Sequence, residues 1–177
     1  MKIGIAGCAG RMGQMLIREV LDNPNTQLFS TTEAPNSPAL GCDPGILIGG
    51  DSTGLKITDD ATELFSNSDA VIDFTAPKIT LMHAQLASDT HTALIVGATG
   101  FLPHQQAKLE AFSADTFIFQ AANFSLGVNL LIGLSKQVGA LLGTDYDAEV
   151  LEMHHKHKID APSGTAIDLA KSLINPS

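Results

Sequence analysis

The sequence opens with Lys2-Ile3-Gly4-Ile5-Ala6-Gly7-Cys8-Ala9-Gly10-Arg11-Met12-Gly13, an apolar run that leads directly into three glycines spaced three apart. The apolar part predicts a short buried strand, and Met12 to Leu21 has the spacing of an amphipathic helix. Asn23-Pro24-Asn25 ends that helix because proline cannot continue it. The stretch Gln27 to Thr32 then predicts a second strand. We expect the apolar face of the helix to consist of Met12, Met15, Leu16 and Val20.

Strands and helices continue to alternate along the chain. Two further runs, Ala70 to Phe74 and Ala93 to Val96, are continuously apolar apart from Asp73, as in strands that are buried on both faces. This βαβ pattern predicts an α/β fold with a Rossmann-type doubly wound parallel sheet. Shorter strands are predicted at 55–57, 117–119 and 147–155, helices at 79–87, 103–112 and 126–142, and a long loop at 34–54.

The glycine turn has a chemical use as well as a structural one. Gly7, Gly10 and Gly13 form G-x-x-G-x-x-G, a variant of the dinucleotide-binding G-x-G-x-x-G. Glycines permit a tight turn and a close approach to pyrophosphate, and the helix start offers free N–H groups. Glu33 ends the second strand, where a carboxylate can accept hydrogen bonds from the adenosine ribose. The alternative is a glycine-rich turn in an unrelated α/β protein, with Glu33 merely solvated.

Cofactor preference depends on the residue after Glu33. Ala34 stands where a basic residue would bind a 2′-phosphate, so we predict that NADH is preferred to NADPH. Three later loops follow predicted strands at the same sheet edge: Phe74-Thr75-Ala76-Pro77, Gly97-Ala98-Thr99-Gly100 and Ala121-Ala122-Asn123-Phe124-Ser125. Their small residues would let a flat ring or a ribose approach the backbone, although each loop alone could be an ordinary turn, and Asn123 a cap.

The segment from Glu152 to Ala166 is the densest polar cluster in the chain. It holds His154, His155 and His157 beside two lysines, and Ser163-Gly164-Thr165-Ala166 opens a predicted helix. Histidine exchanges protons near neutral pH, and a helix start binds anions. These residues suit a small dianionic substrate that must be protonated. A metal site is one alternative, but alternation along a strand would place His154 opposite His155 and His157, and no cysteine or acidic ligand pair accompanies them, so we predict no metal. The other alternative is a merely solvated basic loop.

Several motifs together resemble the 4-hydroxy-tetrahydrodipicolinate reductase (dihydrodipicolinate reductase) family. The most specific is E-x-H-H-x-x-K-x-D-A-P-S-G-T-A, at residues 152–166. In order and spacing the chain also carries G-x-x-G-R-M-G at 7–13, V-I-D-F-T-x-P at 71–77, G-x-T-G at 97–100 and A-x-N-F-S-x-G-V-N at 121–129.

The resemblance implies NADH- or NADPH-dependent reduction of a cyclic dicarboxylate in the diaminopimelate route to lysine. It implies that His154 and Lys158 are catalytic and that His155, Gly164 and Thr165 bind substrate. It further implies a dinucleotide-binding domain at 1–124, the start of an α+β substrate and oligomerisation domain at 125–177, and a family homotetramer. The implied cofactor contacts are Gly7, Cys8, Ala9, Gly10, Arg11, Met12, Glu33, Gly97, Ala98, Thr99, Ala121, Ala122, Asn123 and Phe124.

Length and composition limit the remaining possibilities. The chain has 177 residues, 44% of them hydrophobic, and a formal net charge of −9, which excludes simple disorder and disfavours nucleic-acid binding. No apolar run approaches the ~20 residues of a membrane helix, and the glycine-broken N-terminus is unlike a signal peptide. We therefore expect a cytoplasmic protein with Cys8 and Cys42 reduced.

Family chains continue beyond the SGTA helix, so we expect this substrate domain, and the sheet that assembles the tetramer, to be incomplete. Two other functions stay open at this point. One is a non-catalytic cofactor-binding fragment, and the other is a different nicotinamide-dependent enzyme, such as an amino-acid dehydrogenase.

Overall fold

The computed structural model describes residues 1–154, 156 and 161–174. The chain divides into two compact units, Met1–Gln120 and Ala121–Ser177. The first unit alternates strands and helices in the order expected of an α/β fold. Its elements are β1 (Lys2–Ala6), α1 (Arg11–Asp22), β2 (Gln27–Thr32), α2 (Pro44–Leu47), α3 (Ala61–Asn67), β3 (Ala70–Asp73), α4 (Pro77–Thr90), β4 (Ala93–Val96), α5 (Pro103–Ala111) and β5 (Ile118–Gln120).

The five strands form one sheet in the order β2-β1-β3-β4-β5. Every pairing is parallel, with Ile5 opposite both Thr31 and Ile72. All carboxyl ends of the strands therefore lie at one edge of the sheet. The predicted Rossmann-type parallel sheet is therefore confirmed. Helices connect its strands because two neighbouring parallel strands need a crossover connection.

The sheet is buried on both faces. Successive residues of β1 alternate between two apolar clusters, since Ile5 belongs to one and Ala6 to the other. Helix α1 covers the first face with Ile17 and Val20, and α3, α4 and α5 cover the second. This double burial explains why β3 and β4 are almost continuously apolar.

The predicted apolar face of α1 is partly wrong. The buried residues of the helix are Gly13, Ile17 and Val20. Met12 and Met15 are 41% and 56% exposed. At Gly13, helix α1 lies very close to the glycine turn. A Cβ at this position would collide with the backbone of Cys8, so no larger residue fits. The helix therefore packs against the glycine turn through Gly13 and against the sheet through Ile17 and Val20.

The predicted loop at 34–54 contains a short helix, α2, that the sequence did not indicate. Asp43 caps it by accepting hydrogen bonds from the N–H groups of Gly45 and Ile46. The same carboxylate accepts bonds from Thr53 and Gly54 about ten residues further on. Asp43 thus closes the whole segment into a compact loop.

The predicted strand at 55–57 is also wrong. Residues 55–57 have no strand assignment, and the segment touches the sheet through one isolated bridge between Thr32 and Thr58. Ile57 is nevertheless buried in the core, which explains its apolar character. Helix α3 follows directly and was not predicted; Asp60 caps it through the N–H of Glu63.

The second unit contains helices α6 (Leu126–Leu142) and α7 (Gly164–Ile174), which pack against each other. Gly139 allows their close approach, because a Cβ there would lie 3.0 Å from the carbonyl oxygen of Leu173. The predicted strand at 147–155 is wrong over 147–154, where the backbone pairs with no described strand; His155 lies outside the described residues. Among the helices described, none combines the length and apolarity needed to cross a membrane.

Candidate active site

The glycine turn between β1 and α1 forms the centre of the predicted cofactor site. Gly7 has a φ of +72°, a conformation that side chains disfavour. The N–H groups of Gly7 and Cys8 both donate to the carbonyl of Thr32, at 2.9 and 3.1 Å, and Gly10 donates back to Gly7. These bonds fix the turn against the end of β2.

Two of the six predicted residues in this turn retain backbone donors for a phosphate. The N–H groups of Gly7 to Gly10 are already bonded within the protein. Those of Arg11 and Met12 lie in the first turn of α1, where a helix offers no internal acceptor. The N-cap residue is Gly10, and no side chain caps this positive end of the helix with a hydrogen bond.

Glu33 lies at the rim of the same turn. One carboxylate oxygen accepts the N–H of Ala9 at 2.8 Å, and the other accepts the N–H of Ala34 at 3.1 Å. A carboxylate has about four acceptor sites, so half of its capacity remains for a ligand. The structure therefore brings Glu33 and the glycine turn together, as the dinucleotide hypothesis requires.

Cys8 points away from this site. Its side chain is fully buried in the core. Burial, assisted by the charge of Glu33, raises the pKa of the Cys8 thiol to about 12. The thiol is therefore neutral at physiological pH and contributes packing rather than chemistry. Cys42 is exposed, and both cysteines are free thiols.

The loops after β3 and β4 lie beside the glycine turn. The methyl group of Thr75 sits 3.0 Å from the position of a Cβ at Gly7. The ring of Phe74 covers Gly97, leaving no room for a side chain there, and the N–H of Gly97 donates to the carbonyl of Asp73 at 2.8 Å. Two further predicted cofactor residues follow Gly97, the buried Ala98 and the exposed Thr99.

In the second unit, the predicted cofactor and substrate residues meet at Asn123. Its amide nitrogen donates to the hydroxyl of Thr165 at 3.3 Å, and its amide oxygen accepts the N–H of Ser125 at 2.7 Å. Ser125, rather than Asn123, is the N-cap of α6. Ala121 is half-buried, whereas Ala122 and Phe124 are exposed. Asn123 therefore connects the loop after β5 to the first turn of α7.

His154 lies beside a carboxylate that the sequence reasoning did not assign to the site. Its Nδ1 is 3.5 Å from one oxygen of Glu152, and the other oxygen of Glu152 accepts the N–H of Ser163 at 2.8 Å. The Ser163 hydroxyl in turn accepts the N–H of Ala166. Glu152 thus connects His154 to the start of α7. The sequence carried a signal for this pair, because Glu152 and His154 are two residues apart and such residues lie on the same side of an extended chain.

The remaining predicted residues divide into two groups. Gly164 and Thr165 form the first turn of α7. His155 and Lys158 lie outside the described residues. Within residues 1–154, 156 and 161–174, no cluster of three or more histidine, cysteine or acidic side chains has the arrangement of a metal site.

A cavity of about 760 Å³ lies elsewhere, between α1, the start of β2 and residues 48–55. It is lined by Arg18 and Gln27, among others, and by none of the predicted site residues. Ligands of parallel sheets bind at the carboxyl ends of the strands, whereas this cavity adjoins the amino end of β2. We therefore place the candidate site at the glycine turn.

A parallel sheet with a glycine turn, a terminal carboxylate and a helix start without a side-chain cap is typical of dinucleotide-binding α/β proteins. Residues 1–124 match the family model described as "Dihydrodipicolinate reductase, N-terminus", and residues 127–176 match "Dihydrodipicolinate reductase, C-terminus". The chain belongs to the dihydrodipicolinate reductase family.

Curated relatives agree with this assignment. The 4-hydroxy-tetrahydrodipicolinate reductase of Dinoroseobacter shibae is 45% identical over 170 residues, which are 96% of this chain and 63% of that protein. The enzyme of the same name from Burkholderia vietnamiensis is 43% identical over 98% of this chain and 65% of that protein. The chain thus spans somewhat less than two thirds of the length of these relatives.

Solved structures support the fold. A dipicolinate-bound dihydrodipicolinate reductase from Paenisporosarcina sp. TG-14 superposes with a TM-score of 0.77 at 25% identity, covering 98% of this chain and 65% of that one. An aspartate semialdehyde dehydrogenase with NADP from Candida albicans shares the fold alone, with a TM-score of 0.55 at 15% identity over 78% of this chain and 47% of that one.

Proposed function

We propose that this chain binds NADH or NADPH at the glycine turn and reduces 4-hydroxy-tetrahydrodipicolinate to tetrahydrodipicolinate, in the diaminopimelate route to lysine. The observation that carries the proposal is the Glu152–His154 pair connected to the start of α7 through Ser163. It lies within the most specific family signature. The pair offers a proton-transfer group beside a site for an anion.

The residues of the glycine turn fit a dinucleotide. A Cβ at Gly13 would collide with the backbone of Cys8, and a Cβ at Gly7 would lie 3.0 Å from Thr75, so this tight turn requires glycine at both positions. Arg11 and Met12 would donate to the pyrophosphate through their N–H groups, and Glu33 would accept hydrogen bonds from the ribose hydroxyls. When bound, the nicotinamide supplies the hydride.

The protein must supply a proton, and we assign that role to His154. Nδ1 of the imidazole lies 3.5 Å from an oxygen of Glu152, so Nε2 would be the nitrogen that faces the substrate. Lys158 would be a second proton donor and His155 a substrate ligand.

The first turn of α7 would bind a substrate carboxylate. The N–H groups of Gly164 and Thr165 lie at a helix start, which favours negative charge. Because the Thr165 oxygen accepts a hydrogen bond from Asn123, its own proton is available to a carboxylate. The oxygen of Asn123 is held by Ser125, which fixes the direction of the amide.

The NADH preference has a direct test in the ratio of kcat/KM for the two cofactors. We expect NADH to be favoured, because the Glu33 carboxylate would repel a 2′-phosphate and Ala34 offers no compensating charge. Glu33→Gln should lower the ratio of kcat/KM for NADH to that for NADPH, because the repulsion between the carboxylate and the 2′-phosphate is removed. A clear preference of the unaltered chain for NADPH would refute this part of the proposal.

The reaction itself is tested by a coupled assay in which the synthase generates the substrate and NADH oxidation is followed. We expect His154→Ala to lower kcat by ~10²-fold or more while NADH binding is unchanged. His104→Ala is the matched control, since His104 is an exposed histidine of the first unit. An undiminished kcat for His154→Ala would remove this residue from the mechanism.

Two outcomes of that assay separate the alternatives. NADH binding without turnover would leave the chain a cofactor-binding protein. Turnover of an amino acid in place of the cyclic substrate would make it a different dehydrogenase. The mass of the chain in solution, measured in parallel, tests whether it assembles. We further propose a cytoplasmic location, in keeping with the two free thiols.

A further inference from the structure

Asp73 is a charged residue at the end of an otherwise apolar strand, β3, and it is fully buried. A buried carboxylate is costly unless hydrogen bonds and an opposite charge compensate it. Here one oxygen accepts Nδ1–H of His83 at 2.8 Å. The other accepts both the N–H of Thr75 at 2.7 Å and its hydroxyl at 2.6 Å. Both oxygens of Asp73 are therefore engaged at short distance.

These bonds keep Asp73 ionised. Burial alone would raise the pKa of its carboxyl, but the hydrogen bond and charge of His83, together with the two bonds from Thr75, hold the pKa below its ordinary value. His83 is itself buried on α4 and lies against the ring of Phe65 at 5.5 Å between centroids. The pair therefore sits on a rigid support formed by β3, α3 and α4.

The arrangement reaches the glycine turn through Thr75. Because the hydroxyl of Thr75 is held by Asp73, the rotamer of its side chain is fixed, and its methyl group faces Gly7. The backbone carbonyl of Asp73 also accepts the N–H of Gly97, which begins the next loop of the site. One residue thus fixes both loops that flank the predicted cofactor.

We propose that Asp73, held by His83, is a positioning residue that keeps Thr75 against the glycine turn and so shapes the wall of the nicotinamide cofactor site. This proposal rests on the proposed function. In it, Asp73 does not contact the cofactor and acts only through Thr75. Core packing alone does not explain the pair, since an apolar residue would be buried there at lower cost.

Thr75→Val tests this inference, since valine keeps the shape of threonine and removes the hydroxyl. We expect the KM for NADH to rise about tenfold, as for loss of a hydrogen bond to a charged group, while the KM for the cyclic substrate stays unchanged. Loss of folded protein would lower the apparent kcat without this selective change in KM. Thr75→Ser keeps the hydroxyl and its bond to Asp73 but loses the methyl group, so we expect a clearly smaller rise in the KM for NADH than in Thr75→Val.

Thr80→Val provides the matched control. Thr80 is also buried, on α4, and its hydroxyl has no hydrogen-bond partner among the described residues. We expect this variant to leave the KM for NADH unchanged. Equal effects of Thr75→Val and Thr80→Val, or of Thr75→Val and Thr75→Ser, would overturn the proposal.

A second readout does not depend on cofactor. Hydrogen exchange of the Thr75 amide should be slow in the unaltered chain and in Thr80→Val, and at least tenfold faster in Asp73→Asn, where the charge is lost. The Gly97 amide donates to the backbone carbonyl of residue 73, so its exchange rate should stay the same. Unchanged exchange at Thr75 would overturn the positioning role even if NADH binds. Slow exchange in a chain that binds no NADH would instead refute the proposed function and leave the tie between Asp73 and Thr75 supported.

Discussion

Gly13→Ala is the perturbation for which the structure gives the clearest magnitude. An added Cβ would lie 2.6 Å from the Cα of Cys8 and 2.7 Å from its carbonyl carbon, about 1 Å inside normal contact. Both atoms are backbone, so no side chain can rotate away. The turn must move, although Gly7 and Cys8 are bonded to Thr32 and Ala9 to Glu33.

The cost follows from three terms. Overpacking of a rigid site costs ~1–3 kcal/mol, and loosening one of these hydrogen bonds adds ~1 kcal/mol. Alanine regains up to ~1 kcal/mol of helix propensity, because Gly13 is the third residue of α1. We therefore expect a net loss of about 2 kcal/mol, which corresponds to a fall in Tm of roughly 4–8 °C for a chain of this size.

Thermal unfolding by circular dichroism measures the first effect, and an NADH fluorescence titration measures weakened binding at the displaced turn. Gly50→Ala is the control, because a Cβ at Gly50 would lie 3.5 Å from its nearest neighbour, an ordinary contact. We expect that variant to keep both the Tm and the affinity. A Gly13→Ala chain with an unchanged Tm and an unchanged Kd would refute the close-packing argument.

Two further predictions concern titratable groups. Cys8 is buried with a pKa of about 12, whereas Cys42 is exposed. Iodoacetamide at pH 8 should therefore modify one thiol per native chain and two thiols per chain in denaturant. Rapid labelling of both thiols in the native chain would contradict this. The folded-state pKa of Asp73 is lowered, so its stabilising contribution is complete above the ordinary carboxyl pKa of ~3.9 and is lost as pH falls below it. Asp73→Asn should therefore flatten the decline of Tm below about pH 4, whereas Asp59→Asn, on an exposed side chain, should not.

The sheet was predictable because its signals are local. Strands β1, β3 and β4 are short, largely apolar runs, and the glycine turn, the proline that begins α5 and the SGTA start of α7 mark where helices begin. Parallel order then follows from the alternation of strands and helices. The family signature at 152–166 likewise identifies itself from adjacent residues.

The features that sequence reasoning missed depend on contacts between distant residues. Helix α2 is held by Asp43 bonding to Thr53, ten positions away. A strand at 147–154 needs a pairing partner, and its composition alone could not show whether one is adjacent. The Asp73–His83 pair joins a strand to a helix ten residues later. The sequence did offer one signal for this pair. Asp73 is a charged residue within an apolar run, and a buried charge implies a buried partner.

Binding of a reduced nicotinamide dinucleotide by the glycine turn and Glu33 is the property on which the proposed function depends. Calorimetric titration of NADH into the 177-residue chain measures it. We expect saturable binding with one NADH per chain, unchanged in Gly50→Ala and at least tenfold weaker in Gly13→Ala, the ~1.4 kcal/mol expected from displacement of the turn. The absence of saturable binding by a chain whose circular dichroism shows it folded would contradict the account.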